Sequence, residues 1–142
     1  MSSRPLPDTG DELLAGFWEH TRRRVLCVQR CDGCGRTRWP PRYRCAVCGS
    51  FAAGWQPVIP VGRLFSWTVS HRALHPGFAG RLPYIVGLVE IDEPTGVRFL
   101  GNVVGIEPCR LVAGMRMAVR FEDVDERVTL VHWQPADGDT GT

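Results

Sequence analysis

The sequence predicts a mainly β fold in which an N-terminal helix and a short cysteine-bearing ribbon precede a five-stranded barrel. Three observations carry that reading. Leu13, Leu14, Phe17 and Trp18 recur at helical spacing near the start of the chain. Cys31, Cys34, Cys45 and Cys48 then form two CxxC pairs, CDGCG and CAVCG. From Val61 onward, short segments rich in β-branched and aromatic residues alternate with turns that carry Gly and Pro. A length of 142 residues suits one compact domain, or a small module joined to a barrel-sized one.

The first ten residues, MSSRPLPDTG, read as a flexible leader. Thr9 followed by Glu12 forms a capping box, predicting a helix of about ten to fourteen residues. On that helix Leu13, Leu14, Phe17 and Trp18 share one face, while Glu12, Glu19 and His20 point elsewhere. The apolar face either packs on the chain's own domain or docks on a partner, since a terminal helix with Phe and Trp makes a good interface anchor. The sequence leaves both open. Leader and helix occupy residues 1–24.

Residues 25–56 are turn-rich and hold little core, so something other than hydrophobic burial must stabilise them. Two thiolates separated by two residues sit on a tight knuckle. The glycine after each second cysteine, Gly35 and Gly49, permits the left-handed turn that aims backbone N–H groups at the sulfurs. The intervening segment, RTRWPPRYR, is long enough for a hairpin that brings the knuckles together. Four thiolates in a tetrahedron favour one Zn2+, with iron as the competing rubredoxin-type choice. Such a closed shell leaves no position for water, which indicates a structural rather than a catalytic ion. The expected unit is a rubredoxin-like zinc ribbon. Cys27, in the apolar segment VLCVQ, reads as a buried small hydrophobe, and Cys109 lies outside the pattern with no histidine motif beside it.

Residues 57–135 are predicted to form the barrel. In RLFSWTVSH, Phe65, Trp67 and Val69 alternate with Ser66, Thr68 and Ser70, as in a half-buried strand. YIVGLVEID is apolar at nearly every position, as expected of a strand covered on both faces. EPTG makes a turn, VRFLGNVVGI a third strand, and EPCRLVAG has room for one helical turn. MRMAVRFEDV follows, with Met117, Val119 and Phe121 facing opposite to Arg120 and Glu122, and VTLVHWQP is the fifth strand. This element order is that of an oligonucleotide/oligosaccharide-binding (OB) fold barrel, although a generic five-stranded sandwich shares the strand count. The polar tail at 136–142 is expected to be disordered.

A net charge of +2 demands neither nucleic acid nor an anionic membrane. All 17 basic residues are arginine, which reads as a compositional bias rather than a device for phosphate recognition. No segment approaches the roughly 18 apolar residues of a membrane span, and the N-terminus lacks the features of a secretion signal. A cytoplasmic protein is therefore expected, and there its six cysteines make a poor disulfide framework. No GxSxG, HExxH or Gly-rich phosphate loop occurs.

The order of an FW-bearing helix, a CxxCG…CxxCG ribbon and a five-stranded barrel resembles the zinc-ribbon/OB-fold family known as domain of unknown function 35. The resemblance runs from about Asp11 to Pro135 and is carried by GFWEH, QRCDGCGRTRWPPRYRCAVCGS and WTVSHRALHPGF, with PYIVGLVEID, LGNVVGIEP and GMRMAVRF continuing it. It implies a non-catalytic, stand-alone accessory subunit of a thiolase-superfamily enzyme: a thiolase, a lipid-transfer-protein-like thiolase or aldolase, or an acyl-CoA synthase-type condensing enzyme. It also implies help in holding an acyl-CoA. The zinc ligands carry over onto Cys31, Cys34, Cys45 and Cys48. Independently, His71, Arg72, His75 and Phe78 cluster in a loop that OB barrels commonly use for ligands, where arginine suits coenzyme A phosphates and Phe78 an acyl chain or adenine. An ordinary polar loop would look the same.

Two other functions compete. A zinc ribbon with an OB barrel suits nucleic acid, but Glu90, Asp92, Glu122 and Asp123 on or beside the strands disfavour it. A stand-alone enzyme using Cys109 or His71 is the weakest reading.

Overall fold

The structure, a computed structural model, describes residues 4–136. Helix α1 (Ala15–Arg22) leads into β1 (Leu26–Cys31), β2 (Thr37–Arg38) and β3 (Ala53–Val58). The remaining strands are β4 (Val61–Ser70), β5 (Tyr84–Ile91), β6 (Arg98–Val103), β7 (Arg116–Asp123) and β8 (Thr129–Pro135). A short 3-10 helix spans Pro76–Arg81, and another, Pro108–Arg110, is the helical turn expected between the third and fourth barrel strands. The first three strands form an antiparallel sheet in the order β2-β1-β3, and the other five close into a barrel in the order β4-β5-β6-β8-β7. A parallel contact of Val103 on β6 with Trp133 on β8 completes the ring. The mainly β architecture of helix, ribbon and five-stranded barrel is the one expected.

Helix α1 begins later than expected and spans 8 residues, with Leu14 at its N-cap and no side-chain cap. Thr9 and Glu12 do not form the expected capping box. Asp11 takes the orphan N–H groups instead: its side chain accepts from Leu13 at 2.8 Å, and its carbonyl from Leu14 at 3.0 Å and Ala15 at 2.8 Å. A short carboxylate one turn ahead of the helix satisfies donors that a threonine further back does not reach. Part of the expected flexible leader is also fixed, because the Arg4 guanidinium bonds the Glu122 carboxylate on β7.

Strand β3 escaped the sequence reading, and the expected boundary at 56/57 falls inside it. It pairs with β1 from Leu26↔Val58 to Cys31↔Ala53. As an edge strand it tolerates Pro57, which offers no N–H to a ladder. The ribbon sheet and barrel share one core, in which Phe17, Leu26, Cys27 and Val28 pack with Leu64, Val89, Met117 and Trp133.

The phase of β4 differs from the alternation read in the sequence. Its pairing with β5 shifts register between Leu64 and Ser66. Leu64 is therefore buried, while Phe65 is 50% exposed with the Arg98 guanidinium 3.8 Å from its ring centroid. One extra residue at a bulge turns the side chains before it to the other face. Strand β5 alternates buried Ile85, Gly87, Val89 and Ile91 with half-buried residues, so only its inner face is fully covered. No helix among the described residues is long and apolar enough to cross a membrane. The expected disordered tail lies, from residue 137 on, outside the described residues.

Candidate metal centre

The four cysteines of the two knuckles converge, with all their Sγ atoms within 4.8 Å of one another. Cys31 Sγ lies 3.5 Å from Cys48 Sγ, and Cys34 Sγ 3.7 Å from Cys45 Sγ. A zinc tetrahedron with Zn–S bonds of about 2.3 Å has sulfur–sulfur edges of roughly 3.8 Å, so the donor set fits one zinc ion. These four residues are the ligands that would hold it.

Each knuckle is built by the same short-range rules. The Gly35 N–H donates to the Cys31 carbonyl at 2.9 Å, and the Gly49 N–H to the Cys45 carbonyl at 3.0 Å. Both glycines sit in the left-handed region, at φ 76 and φ 78, where a side chain would be strained. Arg30 donates through Nε to the Gly35 carbonyl and Arg44 to the Gly49 carbonyl, each at 3.3 Å. The repeat is therefore RCxxCG rather than CxxCG, a signal that was visible in the sequence. Gln29 on β1, 6% exposed, accepts at Oε1 from Arg38 Nε at 2.5 Å and from the Arg42 N–H at 2.7 Å. It ties the segment between the knuckles to the sheet. Sequence reasoning missed all three residues' roles.

The thiols differ before metal enters. The Cys34 N–H holds Cys31 below the ordinary thiol range, and the Cys48 and Val47 N–H groups bring Cys45 down to about 6. At Cys48 the Ser50 N–H pulls the same way. It is outweighed by the Cys31 thiol, burial and the thiols of Cys45 and Cys34, which together push Cys48 up to about 11. The backbone N–H groups of the knuckles thus favour the thiolate form at the first cysteine of each pair. A divalent ion held here would favour the thiolate form of all four sulfurs.

Of the four expected loop residues, His75 and Phe78 meet edge-on, with ring centroids 6.5 Å apart. His71 and Arg72 are exposed. His75 accepts the Gly77 N–H at Nδ1 (2.9 Å) and so caps the first 3-10 helix. Phe78 packs on Tyr84, with ring centroids 5.4 Å apart, and lines a cleft of about 430 Å³ with Arg81, Tyr84, Asn102 and Ile106. His132, which the sequence reading passed over, lines the same cleft and bonds Glu122 Oε1 through Nε2 at 2.7 Å. On α1, Phe17 is buried in the chain's own core, while Leu14 and Trp18 pack half-buried against it and Leu13 is half-buried. Gly16 allows this docking, because a Cβ there would lie 2.1 Å from Trp55 Nε1. Cys27 is fully buried as expected, and that burial pushes its thiol up to about 12, whereas Cys109 is exposed.

Known proteins share this arrangement. Residues 18–52 match the family described as "ChsH2, rubredoxin-like zinc ribbon domain" and residues 55–122 the family "ChsH2, C-terminal OB-fold domain". A "probable enoyl-CoA hydratase alpha subunit" of Thermomonospora curvata is 37% identical over 121 residues, 84% of this chain. The chain spans 37% of that relative's length. A "DUF35 domain-containing scaffold protein" of Pyrococcus furiosus is 26% identical over 78% of this chain and 79% of its own length. Among solved structures, a chain of the "Ltp2-ChsH2(DUF35) aldolase" superposes with a TM-score of 0.80 at 34% identity, over 93% of this chain and 98% of that one. With ribbon and barrel both matched in order, and a solved relative covered almost end to end, the chain belongs to the ChsH2/DUF35 family of zinc-ribbon and OB-fold proteins.

Proposed function

We propose that the chain is a non-catalytic accessory subunit that docks on a thiolase-superfamily enzyme and helps to hold that enzyme's acyl-CoA. The observation that carries this reading is the likeness, over nearly both whole chains, to a chain of the "Ltp2-ChsH2(DUF35) aldolase". The chemistry of the chain agrees with it. All four clustered thiols are placed to be ligands of one closed zinc shell, which would supply architecture and no reacting water. The cleft under the first 3-10 helix supports the ligand half of the proposal. Phe78 and Ile106 offer apolar walls for an acyl or pantetheine arm, and Arg81 an exposed guanidinium for a phosphate.

The test is purification of the chain with a thiolase-type subunit from its host, followed by native mass spectrometry and acyl-CoA titration. A complex carrying one zinc per chain is expected, with acyl-CoA affinity lowered by Phe78→Ala and Arg81→Ala. A chain that isolates without such a subunit, or that turns over thioesters alone, overturns the accessory role. Unchanged acyl-CoA affinity in both variants overturns the ligand half.

A further inference from the structure

We propose that the second zinc knuckle is the surface that meets the partner, through Tyr43, Val47 and Phe51, and that it takes a protein face apolar at its centre and edged with carboxylates. The proposal rests on the accessory-subunit reading and specifies where that contact lies.

Single exposed apolar side chains are normal on any protein, but clusters mark interaction sites. Here Tyr43 is 61%, Val47 61% and Phe51 74% exposed, all within one short segment folded around Cys45 and Cys48. That segment is held by the Gly49 turn and by Arg44, whose guanidinium carbon also lies 5.9 Å from the Phe51 ring centroid. An aromatic ring and an arginine presented together on a rigid support are what interface hot spots use.

Charge names the partner's chemistry. Residues 25–56 carry Arg30, Arg36, Arg38, Arg42 and Arg44 against one acid, Asp32. None of these arginines forms an ion pair among the described residues, whereas Arg98 and Arg116 on the barrel pair with Glu90 and Asp92. Even after the double negative charge of a zinc tetrathiolate, the ribbon stays positive. A carboxylate-bearing protein face complements it. A nucleic-acid strand fits less well, because Val47, at the middle of the patch in sequence, offers no ring for a base.

Other surfaces are weaker candidates. The α1 face has its main anchor, Phe17, in the chain's own core at 4% exposure. The exposed ring of Phe65 is already covered by Arg98, which is itself held by Glu90 at 3.1 Å.

The experiment measures binding of the full chain to a purified thiolase-type subunit, first identified by mass spectrometry in the complex from the host. Val47→Asp/Phe51→Asp is expected to weaken binding by about 30-fold or more, with one zinc per chain retained. Val47→Ser/Phe51→Ser gives the same direction should the aspartates disturb the ribbon. Arg36→Glu/Arg42→Glu is expected to weaken binding and flatten its salt dependence, while Leu13→Asp leaves it unchanged. Wild-type binding that both knuckle double variants leave within about twofold overturns this surface and leaves the accessory role standing. Absence of wild-type binding overturns the role, and the proposal with it. Binding of mixed-sequence single-stranded RNA that depends on Val47 and Phe51 replaces the protein occupant and also overturns the proposal.

Discussion

Replacing Phe17 by alanine tests how the three parts of the chain are joined. The side chain is 4% exposed. Its ring centroid lies 4.6 Å from that of Trp39 and 6.4 Å from that of Trp55, both in the ribbon, and 6.5 Å from that of Phe99 in the barrel. Trp18 lies 5.0 Å away on α1 itself. Truncating a buried Phe costs about 3–5 kcal/mol, at the high end where neighbours cannot collapse into the void. Large indole rings fixed on different elements collapse poorly, so a loss of about 4 kcal/mol is expected. Against a total stability of about 5–15 kcal/mol, that is a drop in melting midpoint of roughly 12 °C for a chain of this size. The assay is urea unfolding followed by tryptophan fluorescence, with near-ultraviolet circular dichroism on the same samples, since Trp18, Trp39 and Trp55 all report on the cluster. A loss under about 1 kcal/mol with an unchanged near-ultraviolet spectrum would refute the argument. It would mean that α1 does not sit on the core in solution, and the helix face would return as a docking candidate.

Two further outcomes follow from the site and from the core. Removing zinc with a chelator, or replacing Cys45 by serine, is expected to abolish the one-zinc stoichiometry and to open residues 32–52 to protease and hydrogen exchange. The barrel amides should stay protected, because β1 and β3 keep their core contacts; simultaneous loss of barrel protection would show that the metal supports more than the knuckles. Cys27 makes stability fall at alkaline pH. Its thiol is raised from 9.0 to about 12 in the folded chain, so its stabilising contribution is complete below about 9 and is lost as pH rises toward 12. Urea midpoints measured across that range should decline in the wild type and decline less in Cys27→Ala; parallel declines would exclude this origin.

The parts that were legible in the sequence are those fixed by short-range chemistry. Coordination geometry dictates CxxC spacing, and so the four clustered cysteines could be read directly, with zinc favoured over iron by the ligand chemistry. The five barrel strands were legible as short segments rich in β-branched and aromatic residues between turns, two of them with local alternation. What failed did so for identifiable reasons. Strand β3 reads AGWQPV, with a proline and a glycine and little β-branching, and it exists because β1 offers it a ladder. The outward turn of Phe65 depends on a bulge that alternation does not encode. Asp11 replaced Thr9 as the helix start because two oxygens of one residue met three N–H groups. The cleft joins Phe78 to Asn102 and His132, which lie far apart in sequence and meet through barrel closure. His71 and Arg72 are neighbours in sequence and still do not reach it.

The zinc explains why the second knuckle can present so much apolar surface. A segment as short as residues 43–51 has too little area to bury a core of its own, and conformational entropy opposes its order at about 1–2 kcal/mol per residue. Stabilised by hydrophobic burial alone, it would have to turn Tyr43, Val47 and Phe51 inward. Coordination of a structural zinc, worth about 10–16 kcal/mol in zinc-finger peptides at neutral pH, would supply the order without them. The three side chains are thereby free to stand in water at 61%, 61% and 74% exposure. At the other end of the ribbon the reverse holds. Leu26, Cys27 and Val28 are buried in the barrel's core, and Phe17 joins them there. The ribbon is therefore anchored by burial at its base and by metal at its tip, and the apolar groups left over at the tip are the ones a partner can cover.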